Sequence, residues 1–107
     1  MKRIPLKSLP DPKFPNDPTQ TVDYRVLVES CVRVPLDRQQ GASIDEMRRG
    51  IRVLDALDRA TNGELQLEDA DWEFLKQKVE RMPWAAVDRR FLEFTDDVLN
   101  ADDGLNA

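Results

Sequence analysis

The chain has 107 residues, 40% of them apolar and 35% charged, with a formal net charge of −5, a single cysteine and no histidine. That length makes one domain with a modest core, and no apolar run approaches the ~18 residues that a membrane span needs. The absence of histidine excludes Ser-His-Asp and Cys-His catalysis, and one cysteine beside it excludes the usual zinc sites and an internal disulfide framework.

Residues 1–20 hold five of the seven prolines: Pro5, Pro10, Pro12, Pro15 and Pro18. Proline lacks the amide donor, fixes φ and restrains the residue before it, so an extended, irregular arm is expected. A short edge strand fits Arg3-Ile4-Pro5-Leu6. The basic start "MKRIPLKSLP" has no apolar core of signal-peptide length, and the chain reads as cytoplasmic. Two readings of the arm stand: a disordered leader, or a segment that lies along a partner and orders there. Ile4, Leu6, Leu9 and Phe14 are apolar anchors that a linker would not need, and they favour the docking arm.

Residues 21–34, "TVDYRVLVESCVRV", carry two periods. Val22, Tyr24, Val26, Val28, Val32 and Val34 alternate as in a half-buried strand. Tyr24, Leu27, Val28, Cys31 and Val32 form a helical stripe, which Thr21 or Asp23 would cap and Pro35 would end. The helix is preferred, because a lone long strand would have no evident partner. Cys31 lies in apolar context and is expected to be a core thiol rather than a reactive one.

A helix is expected over 43–61. Ser43-x-x-Glu46 is a capping box, Ile44, Met47, Ile51, Leu54 and Leu57 or Asp58 recur at helical spacing, and Asn62-Gly63 ends the run. Arg48, Arg49, Arg52 and Arg59 share it with Asp45, Glu46, Asp55 and Asp58, which points to a solvated face of ion pairs rather than to DNA contact. "ELQL" at 64–67 reads as an extended link. The next helix spans about Asp69 to Arg81, with Trp72, Leu75, Val79 and Met82 on one face and Pro83 as its breaker. The last spans about Ala86 to Ala101, with Val87, Phe91, Phe94, Val98 and Ala101 as a buried stripe. An acidic tail, 102–107, follows. An acidic balance of this kind gives no counterion-driven attraction to nucleic acid.

The acidic constellations do not carry metal chemistry. Asp69, Asp71 and Glu73 loosely echo a calcium loop, but its sixth position, normally glycine, is Phe74; acids in a first helical turn are explained by the helix dipole. Asp96-Asp97 and Asp102-Asp103 have no phosphate-cradling glycine motif beside them. A DNA mimic would need acids ranked along one face, and Arg81, Arg89 and Arg90 interrupt them. Trp72 belongs to a core stripe. Trp84, after Pro83, either staples the helix–helix corner, the preferred reading, or anchors a partner.

The segments "TVDYRVLVESCV", "SIDEMRRGIRVLDAL", "GELQLEDADWEFLKQKVERMPW" and "VDRRFLEFTDDVLNA" follow a proline-rich arm. Over residues 20–101 this layout resembles a broad class of small proteins encoded among tailed-bacteriophage virion and assembly genes. There an arm precedes "TL-x-DVL-x-x-AL", a charged helix, an "ELxLxxED-x-x-x-LK-x-x-V" helix and a closing helix. The valine-rich "VDYRVLVESCVRV" departs from that pattern. The resemblance implies an interaction role in building or decorating a virion and carries over no functional residue.

The expectation is therefore a mainly α domain of about four helices over 21–101, with an extended arm over 1–20 and room for one or two short strands. It is read as non-enzymatic, without cofactor or metal, binding other proteins rather than nucleic acid or membrane; homo-oligomerisation is left open. Candidate partner contacts are Ile4, Leu6, Leu9, Phe14 and Trp84. The rival reading is a regulator that binds and inhibits a host protein; an enzyme working through carboxylates has least support.

Overall fold

The computed structural model describes residues 1–102. They form four helices and two small antiparallel sheets of two strands each. In chain order these are β1 (Lys2–Pro5), β2 (Ser8–Leu9), β3 (Val22–Asp23), α1 (Tyr24–Arg33), α2 (Ile44–Arg59), β4 (Glu64–Leu67), α3 (Asp69–Arg81) and α4 (Arg89–Leu99). A short 3-10 turn, Pro18–Gln20, lies between β2 and β3. The expected tail falls outside the described residues after Asp102.

The arm is built into the domain. β1 pairs with β4, Ile4 opposite Leu65 and Lys2 opposite Leu67. Period-2 alternation turns Ile4, Leu65 and Leu67 inward, all buried, while Arg3 and Gln66 face out. Pro5 sits at the strand end, where its missing donor breaks little of the ladder. The Arg3 amide donates on the other side to the Asp102 carbonyl at 2.9 Å. Farther along, Leu9 pairs with Val22 and Ser8 with Asp23. Ile4 is thus a core residue and not an exposed partner contact, which corrects the arm reading; Leu6 and Leu9 are partly buried against the same core. "ELQL" is a strand rather than a link, because a second apolar strand meets it.

Residues 22–34 use both of their periods. Two residues pair as strand; then Asp23 takes the N-cap, its carboxylate accepting the Arg25 amide at 2.9 Å, and the helix begins. Tyr24, Val28, Cys31 and Val32 are buried on one side. Arg25 reaches across to the end of α2 and donates to the Leu57 carbonyl at 2.9 Å, which also accepts the Ala60 amide, and to the Ala60 carbonyl at 2.5 Å.

α2 starts where Ser43 predicts. The Ser43 hydroxyl accepts the Glu46 amide at 3.0 Å. The reciprocal half of the capping box is absent: the Glu46 carboxylate accepts the Leu36 amide at 3.0 Å and the Lys78 ammonium instead. The expected stripe is also corrected. Gly50, Val53 and Leu57 face the core, whereas Ile44, Met47 and Ile51 face outward. Both rows have helical spacing; the inward one is chosen because Gly50 lets α1 come close. A Cβ at Gly50 would stand 3.1 Å from Val32 Cγ1. α2 ends at Arg59, and Gly63, at φ 71°, makes the turn into β4.

α3 has the expected bounds and is the central helix, packed by α1, α2, α4 and β4. Beyond Trp72, Leu75 and Val79 it buries Phe74 and Lys78 on a second side. The Trp72 indole donates to the Val98 carbonyl at 2.9 Å, fastening α4. α4 is shorter than expected. Asp88 caps it, so Val87 lies outside the helix and is fully exposed, while Phe94 and Val98 are buried and Phe91 and Ala101 are partly so.

Candidate functional site: the apolar corner at Trp84

The corner between α3 and α4 begins with a stop and ends with a cap. Pro83 cannot continue α3, and Asp88 starts α4 by accepting the Arg90 amide at 2.9 Å. The Arg90 guanidinium returns to the Asp88 carboxylate at 2.8 Å and also donates to the Gln20 carbonyl at 2.5 Å and the Leu9 carbonyl at 3.3 Å. Its hydrogen bonds hold the Asp88 carboxyl below the usual carboxylate value. One guanidinium thereby ties the corner to the arm.

Between stop and cap, the Trp84 ring stacks on Phe91, with centroids 5.1 Å apart and planes inclined at 24°, and meets the Phe94 edge at 6.0 Å. Such pairs add to the burial of the rings themselves. Trp84 therefore staples the corner, as preferred from sequence. Its unburied part opens on a groove of about 830 Å³ lined by Met82, Trp84, Val87, Phe91, Leu92 and Thr95, with Glu80, Asp88 and Arg89 among its charged residues. Val87 and Leu92 are exposed apolar side chains on this groove.

The five residues proposed as partner contacts are not one site. Ile4 is in the core, and Leu6 and Leu9 pack on it. Phe14 is exposed, held in a turn by its amide donating to the Asp11 carbonyl at 3.0 Å, and does not line the Trp84 groove. Trp84 alone of the five lies at the corner. Periodicity puts Val87 on the buried stripe, which its full exposure corrects, and passes over Leu92; the Asp88-x-Arg90 cap is the signal that places Val87 in the loop.

This chain matches no protein-family model, no curated protein and no solved structure.

Titratable side chains also meet elsewhere. The Tyr24 hydroxyl donates to Asp97 at 2.7 Å, and Lys7 bridges Asp97 at 3.0 Å and Glu93 at 3.7 Å. Burial first, then these carboxylates, push the Tyr24 phenol well above its ordinary range, so it stays a donor. The hydrogen bond to Asp97 also raises the Lys7 ammonium, against the opposing effect of desolvation. Cys31 is buried, and its thiol is pushed up to about 12 by desolvation, with the Lys78 charge opposing; a thiol so placed is a poor nucleophile at neutral pH. Asp69 and Asp71 lie in the first turn of α3, with Asp71 paired to Arg52 at 3.3 Å. Among the described residues no group of three acidic or thiol side chains is placed to hold a metal ion, and no helix is long and apolar enough to cross a membrane.

Proposed function

We propose that this protein is a non-enzymatic protein–protein interaction module that uses the Trp84 corner as its contact surface. The observation that carries the reading is the exposure of Val87 and Leu92 beside the rigid Trp84–Phe91 stack. Two large apolar side chains held in water by a capped, clamped corner cost solvation free energy that a partner would recover. A preorganised tryptophan at the centre of such a patch is the residue type that dominates binding energy at interfaces. The resemblance to small tailed-phage proteins supplies the setting: a structural or assembly accessory protein of the head, neck or tail, acting in the host cytoplasm or the virion.

The reading is tested in washed phage particles by mass spectrometry and by substitution at the corner. The intact chain is expected in particles, and Val87→Asp with Leu92→Asp should remove it while leaving the far-ultraviolet circular dichroism unchanged. Repeated absence of the wild-type chain from particles sinks the virion setting. Stoichiometric recovery with one soluble host protein, lost in the same double variant, would replace it with the inhibitor reading; undiminished binding in that variant would remove the corner as the contact surface.

A further inference from the structure

One face of α2 carries an apolar row that the domain leaves in water. Ile44, Met47 and Ile51 are 65%, 53% and 54% exposed, and half-buried Leu54 continues the row. Steps of three and four place these side chains on one side of the helix. A groove of about 310 Å³ runs beside them, with Val32, Gly50 and Leu54 in its lining. It shares no lining residue with the Trp84 groove.

The charges bordering this row point to its occupant. Elsewhere on α2, Asp45 pairs with Arg49, Glu46 with Lys78 and Arg52 with Asp71. Arg48, Asp55, Asp58 and Arg59 have no ion pair among the described residues. Arg48 lies toward the start of the helix and two acids, with Arg59 beside them, toward its end, so Arg48 meets net negative charge when two such helices run antiparallel.

We infer that a second copy of this chain covers the row, α2 packing antiparallel on α2 about a two-fold axis near Ile51. Ile51 then meets its own counterpart, and Met47 meets Leu54 of the partner subunit. Arg48 faces Asp55 of the partner subunit with Asp58 beside it, and the symmetry makes each contact twice. Charge and the apolar row together set the register. A slide of one turn in one direction brings Arg48 toward Arg52 of the partner subunit, and the opposite slide keeps Arg48 near an acid but sets Ile51 against Asp55 of the partner subunit, so each loses part of the match. The eleven residues from Ile44 to Leu54 rise only about 15 Å, so the contact is modest and association depends on concentration.

Sedimentation velocity of the full chain over a concentration series reads the state directly. A twofold rise in mass is expected, and a monomer at every concentration overturns the inference. Ile51→Asp, a change at an exposed position, should abolish the dimer without altering the helical circular dichroism. Arg48→Asp and Asp55→Arg should each move the monomer–dimer midpoint up by about tenfold, which is about 1.4 kcal/mol; the two together should bring it back toward the wild-type value. A dimer that survives Ile51→Asp, or a charge swap that restores nothing, places the contact elsewhere and overturns the arrangement.

Discussion

Lys78 of α3 is buried against Glu46 of α2, and the same ammonium donates to the Val34 carbonyl at 2.6 Å. Glu46 in turn accepts the Leu36 amide. Two side chains, 2% and 10% exposed, therefore hold the end of α1, the loop after it, the first turn of α2 and the last turn of α3 in one place. A buried pair of this kind adds little against a well-packed apolar pair, but breaking it leaves a charge without its partner.

Lys78→Met should accordingly lower unfolding free energy by about 3–5 kcal/mol. Urea denaturation followed by Trp fluorescence measures it. Adding Glu46→Leu should recover part of the loss, since the stranded carboxylate is then gone. A single Lys78→Met within about 1 kcal/mol of wild type would show that the pair is not the fastening described.

Acid should act through the same carboxylate. Burial raises the Glu46 carboxyl, but the Lys78 ammonium and the Leu36 amide outweigh it and hold the folded value below its ordinary 4.5. The unfolded chain therefore binds this proton more readily, so the contribution is complete above about pH 4.5 and drains away as pH falls through the folded value. Asp17 and Asp88, lowered by Thr19 and Arg90, act in the same direction. Urea midpoints from neutral pH to about pH 3 should fall, and fall less steeply in Glu46→Gln. Equal slopes in both proteins would contradict the assignment.

Ile4→Ala should cost about 2–5 kcal/mol, the range for emptying a fully buried aliphatic position, whereas Phe14→Ala should stay within about 0.5 kcal/mol. Thermal melts of the two variants separate an arm that completes the core from one that merely precedes it. Equal, small effects would detach β1 from the domain.

Gly50→Ala sets two effects against each other. Alanine favours a helix interior by about 1 kcal/mol over glycine, yet its Cβ would lie 3.1 Å from Val32 Cγ1, and a β-branched neighbour in a helix has little rotamer freedom to retreat. The packing cost should win, giving a net loss of about 1 kcal/mol. A cycle with Val32→Ala should show the two changes coupled, the double variant losing less than the singles together. Additive losses would mean that the helices do not meet there.

Local signals in the chain specify the helices closely. Ser43 and Pro83 mark a start and a stop where the structure has them, Asp23 is the one of the two candidate caps that starts α1, and α3 runs from Asp69 to Arg81 as its stripe implies. Long-range partners are another matter. Nothing near Ile4 announces Leu65, so "RIPL" reads as a candidate edge strand without a neighbour. On α2 two apolar rows have the same period, and the decision between them rests on how closely Val32 approaches Gly50, a tertiary fact. At the Trp84 corner the staple is legible from Pro83 and the aromatic spacing. The exposure of Val87 is not, because a stripe counted by threes and fours runs past Asp88, whose cap sets the true start of α4. Only the cap chemistry of "VDRR" could have overruled the count.

The pairing of Ile4 with Leu65 also orders events in time. A ribosome makes β1 early and its partner much later, after α1 and α2 have emerged. Until then the first strand holds Ile4 in water with both edges open, and an open edge is what recruits foreign strands. Pro5 closes the strand and Pro10 and Pro12 lie farther along the arm, each lacking the amide by which an added strand would pair there. The prolines that make the arm look like a mere leader can thus be understood as guarding a strand whose proper neighbour does not yet exist.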